Sequence, residues 1–278
     1  MTDGPDRTRG EPRSGTGRPV ETLASQALTF LARHRFAGSG AVSERQVTKL
    51  QAAVLALNPE QRDRVVSDMR EDGISLEEII DLYIPAVARN LGEQWCSDGL
   101  GFADVTIASA RLQGLVRDLA EEVAPIGPRT AGVAVVVLSD EYHTLGALIL
   151  ATQLRRLGIS VRLMIGLGSG QTLSELQASR YDAVLISASH SESLAKLAKF
   201  VKNLRKQTER NMPVVIGGPI VELATDVQVA TGADAVTSDL EEALRACRLK
   251  ISRDGARKHM MSGQTTTQSH SQTSLRKT

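Results

Sequence analysis

Aromatic side chains are scarce in this chain: one Trp, three Tyr and four Phe, 3% of 278 residues. That scarcity excludes the stacking platforms on which single-stranded nucleic acids lie. Cysteine is nearly absent too, Cys96 and Cys247 being the only two. Two thiols build neither a disulfide framework nor a thiolate metal cluster, and they read as reduced cysteines of a cytoplasmic protein. An excess of charge of either sign is missing, with a formal net of +1, so no bulk field draws the chain to nucleic acid or membrane. No apolar run approaches membrane-spanning length. Residues 1–20 lack the apolar core of a signal peptide; rich in Gly, Pro and Arg, they are expected to be disordered. No helix-turn-helix segment or zinc finger is evident, so direct nucleic-acid binding is not expected.

What remains divides into two halves of different period. From 21 to 124 the apolar residues recur at helical spacing. A first helix is expected over 21–36, with Leu23, Ala27, Phe30, Leu31 and His34 near one face. Ser43 can cap a second, Asn58-Pro59 opens a third, and Ser75 with Glu78 forms a capping-box pattern for a fourth. Pro85 lies inside that fourth run, so a kink or restart is expected there. A fifth helix carries Val105, Ala108, Leu112, Leu115, Val116 and Leu119 on one stripe. This half reads as a helical bundle of four or five helices.

After a linker at 125–129 the pattern alternates. Strands are expected over 133–138, 160–165, 182–187, 213–216 and 235–237. Helices are expected over 145–157, 172–179, 192–207, 220–230 and 240–249. Five such units over 130–249 imply a parallel, doubly wound α/β sheet, with the five-stranded flavodoxin-like (Rossmann-like) order as the expected topology. The tail over 250–278 is a polar, Gln/Ser/Thr-rich run and is expected to be disordered.

The chemistry gathers at one edge of this sheet. The first strand stops at Ser139, and Glu141, Tyr142 and His143 follow on a loop before a helix. Open α/β sheets bind ligands outside the carboxyl ends of their strands. The loop after the third strand carries Ser187-Ala188-Ser189, and the loop after the fourth carries Gly217-Gly218. Hydroxyls can bond a buried heterocycle, and paired glycines let a bulky group approach the backbone. A single histidine after a strand is most often structural; three such loops at one edge read as a site.

This set of loops resembles the cobalamin-binding domain family, whose signature is Asp-x-His-x-x-Gly, then Ser-x-Leu, then Gly-Gly. By that resemblance His143 would replace the dimethylbenzimidazole base below cobalt as the metal ligand. Gly146 would be the signature glycine, and the displaced nucleotide tail would thread past Ser187, Gly217 and Gly218. Further contacts would fall on Tyr142, Thr144, Leu145, Ser189 and Thr237. A neutral imidazole is a good ligand, and a carboxylate on its other nitrogen fixes the tautomer. Two positions depart from the signature: Glu141 stands for Asp, and Ser189 stands for Leu. The segment 83–112 is similar to the four-helix cap that covers the upper corrin face, with Trp95 in the place of the cap's tryptophan. Read from its residues alone, Trp95 equally suits the core at the end of an amphipathic helix. Val105-Thr106 occupies the place of the cap's Glu-His pair in light-sensing repressors, so no upper histidine is expected there. His34 reads as a solvated residue between Arg33 and Arg35.

Within this family the chain looks most like the AerR/PpaA antirepressors of purple photosynthetic bacteria. The resemblance implies a non-enzymatic cobalamin-binding regulator that responds to light or cofactor state. Its partner would be a transcriptional repressor of the CrtJ/PpsR type. Two alternatives stay open: a corrinoid methyl carrier serving a methyltransferase, and a haem-binding sensor with His143 on iron.

Overall fold

A computed structural model describes residues 42–123, 131–139, 141, 143–189, 194–208, 212–223 and 225–249. The helix expected over 21–36, His34 and both terminal segments lie outside these residues.

The helical half opens with α1 (Glu44–Leu55) and α2 (Pro59–Glu71). Asn58 caps α2 by accepting from the Glu60 N–H, and Pro59 sets its first turn. The next segment begins as α3 (Leu76–Glu78) under a complete capping box, in which Ser75 and Glu78 exchange side-chain and backbone bonds. It then widens into a π turn (Ile79–Tyr83), where the Ile84 N–H reaches back five residues to the Ile79 carbonyl. The cause sits just beyond. Pro85 has no N–H to give the Asp81 carbonyl, so the α ladder cannot run through unbroken. Helix α4 (Ile84–Cys96) restarts there, and α5 (Phe102–Glu122) follows the turn at 97–101.

The second half is β1 (Ala131–Leu138), α6 (Leu145–Arg156), β2 (Ile159–Leu167), α7 (Ser169–Ala178), β3 (Ala183–Ser187), α8 (Leu194–Gln207), β4 (Val214–Gly217), α9 (Ile220–Leu223), α10 (Val227–Thr231), β5 (Ala235–Val236) and α11 (Leu240–Ala246). All strand pairs are parallel, and their order is β2-β1-β3-β4-β5. One expected element is corrected. The helix read over 220–230 is two short helices, α9 and α10. Asp226 adopts a left-handed backbone, φ 58°, just before α10, and a continuous right-handed helix cannot pass through that conformation.

Alternation along β1 distributes the core. Val133, Val135 and Val137 point to one face, beneath α6 and α11. Ala134, Val136 and Leu138 point to the other, beneath α7, α8 and α10. Burial on both faces explains why the strand reads as an unbroken apolar run. The core of the helical half is built from Leu50, Met69, Ile80, Ile84, Leu91 and Leu112, and it extends onto Leu145, Leu148 and Ile149 of α6. Helix α6 therefore serves both halves. Its inner face covers the sheet, and its outer face completes the helical core.

Leu112 has no exposed surface at the centre of α5. Leu112→Ala should cost about 2–5 kcal/mol, read as a lowered midpoint in urea unfolding.

Candidate functional site

The strand order places β1 between β2 and β3, so the crossover that leaves β1 for β2 and the one that leaves β3 for β4 run in opposite directions. The carboxyl ends of β1 and β3 form the switch point, where such sheets open a crevice. The loops that leave those two ends carry Glu141 with His143, and Ser187 with Ser189.

Glu141 is 7% exposed. One carboxylate oxygen, Oε1, lies 2.7 Å from His143 Nδ1 and accepts the Ser189 hydroxyl at 2.5 Å and the His143 backbone N–H at 3.1 Å. The other, Oε2, accepts the Ser189 backbone N–H at 2.7 Å. Ser189 Oγ is itself 2.8 Å from His143 Nδ1. Two loops are thereby tied through one carboxylate. Burial alone would push the Glu141 carboxyl up, but hydrogen bonds from His143 and Ser189, with the positive field of the imidazole, outweigh it. The group is held down at about 2.

An ionised Glu141 can only accept, so Nδ1 of His143 carries the hydrogen it shares with Glu141 and Ser189. With the hydrogen held on Nδ1, it is Nε2 that carries the lone pair whenever the ring is neutral. The His143 side chain is 24% exposed, whereas that of Glu141 is 4% exposed. The arrangement is a buried acceptor behind a partly accessible imidazole. Among the described residues no group of three or more His, Cys, Asp or Glu is placed to hold a metal ion. What His143 offers is a single, partly accessible ring nitrogen.

The glycines differ in why they are glycine. A Cβ on Gly218 would stand 2.7 Å from the Ala188 carbonyl oxygen, and φ there is +89°. A Cβ on Gly217 would stand 2.8 Å from the Thr237 carbonyl oxygen. Both are required by the chain's own backbone, because the loops after β3, β4 and β5 lie against one another. The Ala188 N–H bonds the Gly217 carbonyl and the Ala188 carbonyl accepts from Ile220, closing that contact. Gly146 is the opposite case: a Cβ there would meet nothing within 4 Å among the described residues. The open space is on the first turn of α6, three residues after His143.

The structure thus joins Glu141, His143 and Ser189 directly, and joins Ser187, Gly217, Gly218 and Thr237 through adjoining loops. Thr237 is buried, and its hydroxyl bonds Glu242 while accepting from the N–H of Asp239, the N-cap of α11. Thr144 takes the N-cap position of α6, and Leu145 is buried in the helical core. Tyr142 lies outside the described residues. Trp95 is half-buried on the last turn of α4 and is not among the buried residues of the helical core. The role of Ser189 as a hydrogen-bond bridge to Glu141 was not legible in the sequence, where it stood as a candidate cofactor contact and a departure from Ser-x-Leu. The signal was the pairing of two departures. The longer Glu141 reaches across to the β3 loop, and the residue it meets there is Ser189.

Comparison with known proteins identifies the family. Residues 131–248 match the family described as B12 binding domain. A Rhodobacter capsulatus protein described as "uncharacterized 20.5 kDa protein in bchF-crtJ intergenic region" is 40% identical over 181 residues, which span 64% of this chain and 94% of that protein. Among solved structures, the monomethylamine corrinoid protein of Methanosarcina barkeri superposes with a TM-score of 0.56 at 16% identity, covering 73% of this chain and 97% of its own. At that identity the likeness concerns the fold.

The carboxylate makes a pH prediction. Glu141 titrates at about 2 in the fold against an ordinary value of 4.5. A depressed carboxyl contributes stability that is complete above the ordinary value and is lost as pH falls through the folded one. Wild type should therefore lose its advantage over Glu141→Gln between about pH 4.5 and 2. Urea midpoints of both proteins at stepped pH check this; parallel curves would show that Glu141 is not held ionised.

Proposed function

The chain belongs to the B12-binding domain family, and from that premise we propose that it is a cobalamin-dependent regulator of transcription. In this reading it is an antirepressor of the AerR/PpaA kind. It acts by contact with a repressor of the CrtJ/PpsR type and carries out no reaction of its own. The observation that carries the regulatory part is the Rhodobacter capsulatus relative, described by its position beside crtJ, the gene name of that repressor.

The residues present fit the cofactor. The Glu141–Ser189 pair prepares His143 Nε2 as a neutral donor, and the open space at Gly146 has no occupant among the described residues. When bound, cobalamin supplies a cobalt centre whose axial bonds respond to light and to redox state. His143 would hold the lower face. Glu141 and Ser189 would fix the ring and its tautomer. Gly146 would leave room for the flat macrocycle against the first turn of α6. Ser187, Gly217 and Gly218 would border the path of the nucleotide tail. Trp95 would face the upper side from the helical half. A change in axial ligation, felt by residues of both halves, would bias two arrangements of the molecule with different grip on the repressor.

The glycines test the cofactor half of this reading. Gly146→Ala should leave the cofactor-free protein as stable as wild type, or up to about 1 kcal/mol more so, because alanine is the better helix former. The same variant should bind hydroxocobalamin at least tenfold more weakly. Gly218→Ala should lose about 1–3 kcal/mol even without cofactor, because its Cβ meets backbone. Thermal melts and spectroscopic titration check both; unchanged affinity of Gly146→Ala would remove the corrin from that space.

The regulatory half is tested by binding a purified repressor of the CrtJ/PpsR type to cobalamin-loaded and cofactor-free protein, in light and in dark. Affinity should depend on loading. Repressor binding indifferent to cobalamin, together with methyl transfer from the methylcobalamin-loaded protein to a methyltransferase, would replace this reading by a methyl carrier. A pyridine haemochrome spectrum from the purified protein would replace it by a haem sensor.

A further inference from the structure

Helix α6 is the element through which the helical half meets the site. Its first turn follows His143 directly, with the Leu148 N–H bonded to the Thr144 carbonyl. Leu145, Leu148 and Ile149 on that turn and the next are buried in the helical core. At the opposite end, about 18 Å away by helical rise, stands Arg156. Arg156 is 9% exposed and its Nη2 pairs with an Asp81 carboxylate oxygen. Asp81 lies in the π turn Ile79–Tyr83, at the point where the ladder is interrupted before Pro85. The contact joins residues 75 apart in sequence.

Three features set this pair apart from a surface ion pair. Both partners are largely withdrawn from water, so breaking it leaves a buried charge uncompensated. It engages one nitrogen only, and Arg156 Nη1 is buried with no hydrogen-bond partner among the described residues. A single-pronged, partly satisfied pair holds less firmly than a bidentate one. And its partner sits on a π turn, a rare backbone form that recurs at functional sites.

We infer that Asp81 and Arg156 are positioning residues for His143: they fix where α6 seats in the helical bundle, and α6 carries that placement to the metal-binding loop. This deepens the cobalamin reading and rests on it for the consequence at the cofactor. The helical half is then coupled to the imidazole by the same helix at both ends. A shift of His143 would displace the first turn of α6, and the bundle built on that turn would have to follow or slip at the Asp81–Arg156 contact.

The test uses the full chain with Asp81→Asn, Arg156→Lys and the exchanged pair Asp81→Arg/Arg156→Asp. Hydrogen–deuterium exchange of the cofactor-free protein is read at two places, the π turn and residues 143–148. Hydroxocobalamin affinity is read by absorption. Both single variants should quicken exchange at the π turn and also at residues 143–148, and should weaken hydroxocobalamin about five- to tenfold, the scale of ordinary site-to-site coupling. The exchanged pair should restore both. Quickened exchange confined to the π turn, with wild-type affinity, would make the pair merely structural and overturn the inference. Should Asp81→Asn fail to fold, Arg156→Lys, which keeps the charge but shortens the reach, decides by the same two readouts. Wild-type protein that fails to bind hydroxocobalamin would instead contradict the cobalamin reading, and the exchange arm would still decide the coupling.

Discussion

A carboxylate taken out of water needs hydrogen bonds to remain charged, and Glu141 collects them from two loops of the sheet. That requirement organises the site. Were the loops after β1 and β3 to part, Ser189 would withdraw its hydroxyl and its N–H together, and the buried charge would have only its own loop to lean on. The arrangement therefore fixes the crevice and the imidazole with one set of bonds. It also fixes the tautomer. Because an ionised Glu141 cannot donate, the hydrogen on Nδ1 is obligatory, and Nε2 is left with the lone pair a metal requires.

The parallel sheet makes this possible at low cost. Only at the switch point do neighbouring strands send their following loops apart and leave a gap that side chains from both can line. The β3–β4–β5 side is closed by backbone, with the carbonyls of Ala188 and Thr237 pressed against Gly218 and Gly217. The β1 side is left open at Gly146. Among the described residues the same edge is close-packed on one side and open on the other. On its outer face α6 completes the core of the helical half, so the floor of the site and the seat of the bundle are one helix.

Much of this was legible in the sequence, for physical reasons that differ from residue to residue. Burial on both faces leaves β1 as a run of valines, and burial on one face leaves the helices with a 3.6-residue rhythm. The Asn58-Pro59 and Ser75–Glu78 signals are local chemistry and could be read at sight. The break between α9 and α10 was not legible, because Asp226 carries a left-handed backbone that nothing in its neighbours announces. The glycine pair lies at the end of β4, and the close approach expected there from a ligand is one that the protein's own loops already make. The Ser189 bridge and the Asp81–Arg156 contact were out of reach, because each joins residues far apart in sequence that only the folded chain brings together.

The claim on which the account turns is that His143 Nε2 is the lower ligand of cobalt. Electron paramagnetic resonance of protein loaded with cob(II)alamin tests it most directly, comparing chain labelled with nitrogen-15 in histidine against unlabelled chain. The account predicts that the axial nitrogen splitting changes from a triplet to a doublet on labelling, and that the doublet is lost in His143→Ala. A triplet that persists in the labelled protein would mean that the cofactor's own base still holds the cobalt, and that the site built by Glu141 and Ser189 does not bind metal.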